Sequence, residues 1–272
     1  MSMDVRTKEQ LIEEIKQIAK AGWHKSVKDT SSKKNDGAVG NTLEVLLGVP
    51  ENNLPIPNTN EWELKGQRLK STALFTFKHT EPSPIALEFV SSIFLPQFGW
   101  RHKEAGKEYS EDEKSFRSTT NAKKNTVRGF RLIIDRNAKK VRFIFESEKA
   151  KASKPEIKEW LKMVEMNRGL GLLNPEPYWG FDDLMYVFGS KLKNCFYVVA
   201  DTKKVDDQEY FRYLRLNVLS GFSFEKMIDQ LELGNAYVDF DARTRHNHGT
   251  KFRIKQRFVP SVYEHCQVIE LI

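Results

Sequence analysis

The sequence predicts a mixed α/β fold, and three observations predict it. Apolar residues recur at helical spacing in some stretches. In others they alternate with polar residues or run together over strand length. The two kinds of segment are interspersed, without the regular alternation of a doubly wound parallel sheet. At 272 residues the chain suffices for one large domain or two small ones with a sizeable core. Hydrophobic residues make up 39% and charged residues 30%, with a mean hydropathy of −0.56. The longest readable apolar run, Cys195-Phe-Tyr-Val-Val-Ala200, is strand-sized, so no bilayer-spanning segment is expected. The opening Met-Ser-Met-Asp-Val-Arg lacks the apolar stretch of a signal peptide. The two cysteines, Cys195 and Cys266, cannot make a disulfide framework. A reducing cytoplasm is the expected location, with Cys195 a buried thiol.

The elements follow in order. Leu11, Ile12, Ile15, Ile18 and Ala19 place an amphipathic helix over residues 5–21, with Gly22 as its stop. Residues 24–37 form a polar loop. A short helix spans Val39 to Leu47, with Gly48 ending it. The density of proline and asparagine over 49–60 predicts a loop. Glu61-Trp62-Glu63-Leu64-Lys65 then alternates as a half-buried strand does, and Leu74–Phe77 is a second strand. Gly129–Asp135 and Lys140–Glu146 are β-rich runs joined by a hairpin turn at 136–139. Ile157–Val164 and Phe181–Leu192 read as helices, and Cys195–Asp201 as a strand. Tyr210–Val218 fits either state. Phe222–Leu231 is a helix, with Ser223 a candidate cap and Gly234 past its end. Ala236–Asp241 and Lys251–Arg257 are expected to close the chain as a strand pair. There is no internal repeat.

Charge gives the first functional hint. Lys plus Arg is 44 against 37 Asp plus Glu, a net charge of +7 and a pI near 9.2. The excess is concentrated. Lys114 to Arg142 holds ten Lys or Arg and one acid, Asp135, and Arg243 to Arg257 holds six Lys or Arg, two His and no acid. Such stretches suit the phosphates of a polyanion, and equally suit two solvated faces.

Phosphodiester hydrolysis calls for a hard divalent metal on oxygen ligands and a cation near the attacking water or the developing charge. A Glu-x-Lys on a strand supplies both on one face, because side chains alternate with a period of two. The chain has three copies. Glu14-Ile15-Lys16 and Glu156-Ile157-Lys158 fall in predicted helices and read as solvated charges. Glu63-Leu64-Lys65 sits on a predicted strand behind a polar loop. Its bland alternative is an exposed edge-strand pair.

Gly40-Asn-Thr-Leu-Glu44-Val-Leu-Leu-Gly48, the Pro/Asn-rich loop and Glu61-Trp-Glu63-Leu-Lys65 together resemble the active-site block of the MutH-like branch of the PD-(D/E)XK nucleases. The details are closest to the MvaI/BcnI type II restriction endonucleases. The resemblance implies a restriction-endonuclease-like α/β fold, with a mixed central sheet flanked by helices and two lobes around a DNA cleft. The whole chain, 1–272, would be one such nuclease domain, its catalytic lobe mainly 1–150 and its recognition lobe mainly 151–272. Glu44 matches the helical Glu of that block, and Glu63 and Lys65 match its strand pair. The first acid of the family's motif falls on Asn58, which offers a carbonyl oxygen without charge. Three alternatives stay open: Asn58 ligates the metal, Glu61 supplies the carboxylate from two residues before Glu63, or the loop register shifts.

The C-terminal Asp241-Ala-Arg243-Thr-Arg245-His246-Asn247-His248-Gly249-Thr250-Lys251-Phe-Arg253 is similar to the family's DNA-contacting segment. Chemically it is apt. Arg can pair with guanine O6 and N7 in the major groove, while Lys, Thr and Asn hold phosphates. The candidate DNA-binding residues are therefore Arg243, Arg245, His246, Asn247, His248, Thr250, Lys251 and Arg253. The two histidines have no Cys or third His nearby, so a zinc site is not expected. The resemblance further implies Mg²⁺-dependent cleavage of double-stranded DNA at a short CCNGG-like site by a monomer. A companion DNA methyltransferase would act on the same site without stable binding. A partner-dependent nicking nuclease and a non-catalytic DNA-binding module are the alternatives, the latter kept open by Asn58.

Overall fold

The computed structural model describes residues 6–28, 35–49, 59 and 61–272. In chain order they form α1 (Lys8–Lys20), β1 (His24–Lys25), α2 (Ala38–Leu46), β2 (Glu63–Arg68), β3 (Leu74–His79), α3 (Leu95–Phe98), β4 (Trp100–Arg101) and β5 (Lys114–Thr120). Then come β6 (Phe130–Asp135), β7 (Lys140–Phe145), α4 (Pro155–Arg168), β8 (Tyr178–Gly180), α5 (Phe181–Leu192), β9 (Asn194–Val205) and β10 (Gln208–Phe222). The chain ends with α6 (Phe224–Glu232), β11 (Ala236–Arg243), β12 (His246–Asn247), β13 (Lys251–Lys255) and β14 (Tyr263–Glu270). Helices and strands are mixed as the patterning predicts. Among the described residues no helix is long and apolar enough to cross a membrane.

The chain divides into two compact units, neither of them contiguous. Unit 1 comprises residues 1–73, 187–224 and 256–272; unit 2 comprises 74–186 and 225–255. The lobes expected from the resemblance were contiguous halves; the observed units interleave along the chain.

Unit 1 is built on a mixed sheet in the order β1-β10-β9-β2, with β14 also on β10. Only β2 and β9 run parallel. Helix α1 starts on a capping box, in which the Thr7 side chain accepts from the Gln10 amide and the Gln10 side chain accepts from the Thr7 amide. Its apolar stripe, Leu11, Ile15 and Ala19, packs with Val39 and Leu43 of α2 in one core with Leu64, Phe196, Val198, Tyr213 and Leu216 of the sheet. The stretch around Tyr210–Val218 resolves as the long strand β10, whose other edge takes up β14. The expectation that the β11 and β13 pair closes the chain is therefore corrected. Strand β14 follows, mostly exposed, and without buried alternation it left no periodic mark in the sequence.

Unit 2 holds an antiparallel sheet in the order β3-β13-β11-β5-β4, with β12 pairing the far end of β11. It also holds the three-stranded sheet β6-β7-β8, whose β6–β7 hairpin turns where the sequence places it. Its core is a cluster of phenylalanines. Phe94, Phe116, Phe130, Phe143 and Phe240 are all buried, with ring centroids 4.8–5.8 Å apart at their contacts. Polar residues occupy the other side of β11, where buried and half-buried residues alternate without exception.

Candidate active site

The site is set by how closely α2 approaches β2. A Cβ on Gly66 would lie 2.7 Å from Val39 Cγ1 and 2.8 Å from the Gly40 amide nitrogen. No side chain fits there, so glycine lets the helix lie directly on the strand. Gly40 sits against Gly66, and Glu44 lies one turn further along the same helix face. Buried Glu44 thus faces the strand that carries Glu63 and Lys65. The Tyr213 hydroxyl donates to the Val39 carbonyl at 3.0 Å and ties β10 to the same helix.

Glu63 and Lys65 point to one face of β2, while Leu64 enters the core on the other. Glu63 is 1% exposed, a carboxylate almost sealed from water. Its Oε1 is 2.6 Å from Lys65 Nζ and 3.7 Å from Lys191 Nζ. Its Oε2 is buried and accepts no hydrogen bond from the described residues. One oxygen is thus held by two ammonium groups, and the other has no partner among the described residues. Burial pulls the Lys65 pKa down, but the charge and hydrogen bond of Glu63, helped by Glu44, outweigh it, so the pKa stands above the ordinary lysine value. Lys65 is therefore a fixed cation at neutral pH. Cys195, opposite Glu63 on β9, is driven upward by burial and stays a neutral thiol.

An unsatisfied buried carboxylate oxygen costs free energy unless something meets it. The group it suits is a hard cation, so Glu63 fits a divalent metal and would hold it through Oε2. Among the described residues there is no cluster of three or more His, Cys, Asp or Glu that could hold a metal. Asn58 lies outside the described residues. Glu61 lies before β2, not on it. Its side chain is exposed on the turn in which the Thr59 amide and hydroxyl both donate to the Trp62 carbonyl. The regular alternation that would align Glu61 with Glu63 starts only at Glu63.

Lys191 is the residue that the sequence reading missed. It is 12% exposed and comes from the last turn of α5. No local motif joins it to Glu63, since only the tertiary fold brings it there. The other two Glu-x-Lys copies behave as expected. Glu14 pairs with Arg6 at 2.6 Å on α1, and Glu156 and Lys158 are exposed on α4.

The predicted DNA-contacting segment is a hairpin in unit 2. Ala242 pairs with Asn247 and Arg243 with His246, leaving Thr244 and Arg245 as the turn. Arg245 takes a φ of 60°, and His246 and Asn247 are exposed. The His246 and His248 rings meet edge to face at 4.2 Å. Burial, with His246, Lys251 and Arg117 assisting against Asp241, holds the His248 pKa below the ordinary histidine value, so the ring is neutral at pH 7. The remaining candidates are already engaged. Arg243 pairs with Glu113 at 3.2 Å and stacks on Tyr109. Arg253 donates to Asp239 at 2.9 Å, and Lys251 lies 4.0 Å from Asp241. Thr250 is fully buried, its amide and hydroxyl both donating to Glu81, and it braces the base of the hairpin.

A family model for MvaI/BcnI restriction endonucleases matches residues 12–263. Two solved structures are similar in fold. The complex of restriction endonuclease MvaI with its cognate DNA substrate is 20% identical, covering 98% of this chain and 100% of that one, with a TM-score of 0.72. MvaI in the absence of DNA is 20% identical, covering 99% and 100%, with a TM-score of 0.53. No curated protein matches the sequence.

Proposed function

The chain belongs to the MvaI/BcnI restriction endonuclease family, and from that premise we propose that Glu63 and Lys65 are the centre at which this type II restriction endonuclease cuts double-stranded DNA. The proposed reaction is Mg²⁺-dependent hydrolysis of a phosphodiester at a short CCNGG-like site. It is carried out by a cytoplasmic monomer, with a companion methyltransferase protecting the same sequence. The observation that carries this reading is the division of labour within one carboxylate. Glu63 Oε1 is occupied by lysines, and Oε2 has no donor among the described residues.

Each residue then has a defined task. Glu63 holds the cation through Oε2. Bound there, Mg²⁺ would polarise the scissile phosphate and lower the pKa of a coordinated water. Lys65, kept charged by Glu63, faces the charge that builds on the phosphate oxygens and is fixed before the substrate arrives. Lys191 adds a second cation at Glu63 Oε1 and so orients Oε2. Glu44 places a further negative charge near Lys65. The second oxygen ligand is Asn58 or Glu61. Arg245 and His248 read base edges from the hairpin. Lys251 and Arg253 hold phosphates, as do Asn247 and His246. Arg243 serves either role, and Thr250 keeps the hairpin in register.

The test is a digest of defined duplexes in Mg²⁺ with end mapping. Cutting at one short motif by the purified chain supports the proposal. Cutting only in the presence of a second protein would favour a partner-dependent nicking nuclease. Tight binding without any cutting would favour a binding module.

A further inference from the structure

The acid-poor stretch 114–142 contains five arginines, and unit 2 supplies carboxylates to four of them. Arg117 lies 2.8 Å from Asp241, Arg131 3.0 Å from Glu146, Arg136 2.6 Å from Asp229, and Arg142 donates to Glu176 at 2.9 Å. For these the bland reading, a solvated face paired within the protein, is the right one. Arg128 differs. Its Nε is shut off from solvent and meets no acceptor among the described residues. Its guanidinium carbon lies 3.7 Å from the Trp100 ring centroid and 5.5 Å from that of Trp160. Glu156 is the acid that attracts it, without a contact, and burial outweighs that attraction.

A half-buried guanidinium without an acceptor is costly, because its lost hydration is not replaced. It stays charged at neutral pH all the same. Stacking on an indole offsets part of the cost and fixes the planar fork in advance. The fork lines an open pocket of about 300 Å³ whose wall also includes Arg117, Thr119 and Thr126. Thr126 Oγ1 accepts from the Phe130 amide at 3.1 Å, which leaves its hydroxyl proton to donate. The pocket thus offers an unpaired cation and a hydroxyl donor, beside an arginine already neutralised by Asp241. A stacked base would find the near indole face already covered by Arg128. The chemistry suits a compact anion with several acceptor oxygens.

We propose that the Arg128–Trp100 pocket seats a backbone phosphate of the bound DNA, a contact separate from the 243–253 hairpin. It rests on the reading that the chain binds double-stranded DNA. The pocket would contribute affinity without sequence information.

Two experiments test it, both on the full chain with Ca²⁺ replacing Mg²⁺. In the first, wild-type protein is treated with phenylglyoxal and modification at Arg128 is followed by peptide mass spectrometry. A duplex of either cognate or scrambled sequence is expected to protect Arg128. Inorganic phosphate at matched phosphate concentration is expected to protect it much less. In the second, duplex affinity is measured across NaCl concentrations. Arg128→Gln is expected to weaken cognate and scrambled duplexes by the same factor, roughly tenfold, and to make the salt slope shallower by about one unit. Arg128→Lys is expected to restore the slope. A purely structural arginine would lower the melting temperature of Arg128→Gln and leave the slope unchanged, which overturns the proposal. If Arg128→Gln does not fold, the labelling decides. Equal modification with and without bound duplex overturns the pocket alone, and equal protection by free phosphate makes it a small-anion site instead. Failure of the wild type to bind any duplex overturns the DNA reading and the pocket together.

Discussion

At the scale of single residues the account turns on one asymmetric carboxylate. Glu63 is buried, and its charge is balanced by Lys65 and Lys191 on one oxygen only. Removing Lys191 leaves Lys65 in place but loosens the orientation of Oε2. Lys191→Ala is therefore expected to raise the Mg²⁺ concentration needed for half-maximal cleavage and to leave duplex affinity in Ca²⁺ nearly unchanged. A variant that cuts normally at every Mg²⁺ concentration would remove Lys191 from the site. The uncharged Asn58 gives a paired prediction. Where Asn58 is the ligand, Asn58→Asp keeps activity and lowers the Mg²⁺ requirement, and Asn58→Ala impairs cutting. Where Glu61 is the ligand, Glu61→Gln is the more damaging change. Indifference at both positions, read in the same Mg²⁺ titration, would put the second ligand elsewhere. The sequence alone makes Glu63 and Lys65 visible, because two residues on one strand share a face whatever the rest of the chain does. It could not reveal Lys191, since nothing local relates the end of α5 to β2.

At the scale of elements the decisive contact is helix α2 on strand β2. Gly66→Ala would drive a Cβ into Val39 and the Gly40 backbone, and backbone cannot step aside as a side-chain tip can. The expected cost is about 1–3 kcal/mol of stability, with loss of cleavage as Glu44 moves away. A melting temperature and activity equal to wild type would show that the approach is looser than described. The hairpin makes a separate prediction. Arg245, on the turn, and His248 are expected to discriminate bases. Alanine at either should weaken the cognate duplex by roughly 1–3 kcal/mol and the scrambled duplex far less, whereas Lys251→Ala weakens both alike. An unchanged cognate-to-scrambled ratio in the first two variants would make the hairpin an electrostatic clamp. Elements with a buried apolar stripe, such as α1, α2 and β9, are legible because burial imposes a period. Strand β5 is not, because its inward residues include Ser115, Ser118 and Thr120, which look like loop. Strand β14 is not, because neither face is buried along most of its length.

At the scale of the whole molecule the mixed fold, the two basic stretches and the Glu-x-Lys strand are all legible in the sequence. What the sequence hid is that much of the basic charge is internal bookkeeping, with four arginines of the 114–142 stretch satisfied by nearby acids. It also hid that the compact units interleave along the chain, because contacts between distant segments leave no local pattern. In the division proposed, unit 1 cuts and the unit 2 hairpin reads. Chelation of divalent metal should then abolish cutting, while duplex binding in Ca²⁺ persists. The most direct measurement is single-turnover cleavage of a cognate duplex by wild type, Glu63→Ala and Lys65→Ala, with affinity measured in Ca²⁺ on the same preparations. The account predicts a loss of at least about 100-fold in cleavage rate for both variants, with duplex affinity within a few-fold of wild type. Near-normal turnover in either variant, with binding intact, would contradict it and place the catalytic centre elsewhere in the chain.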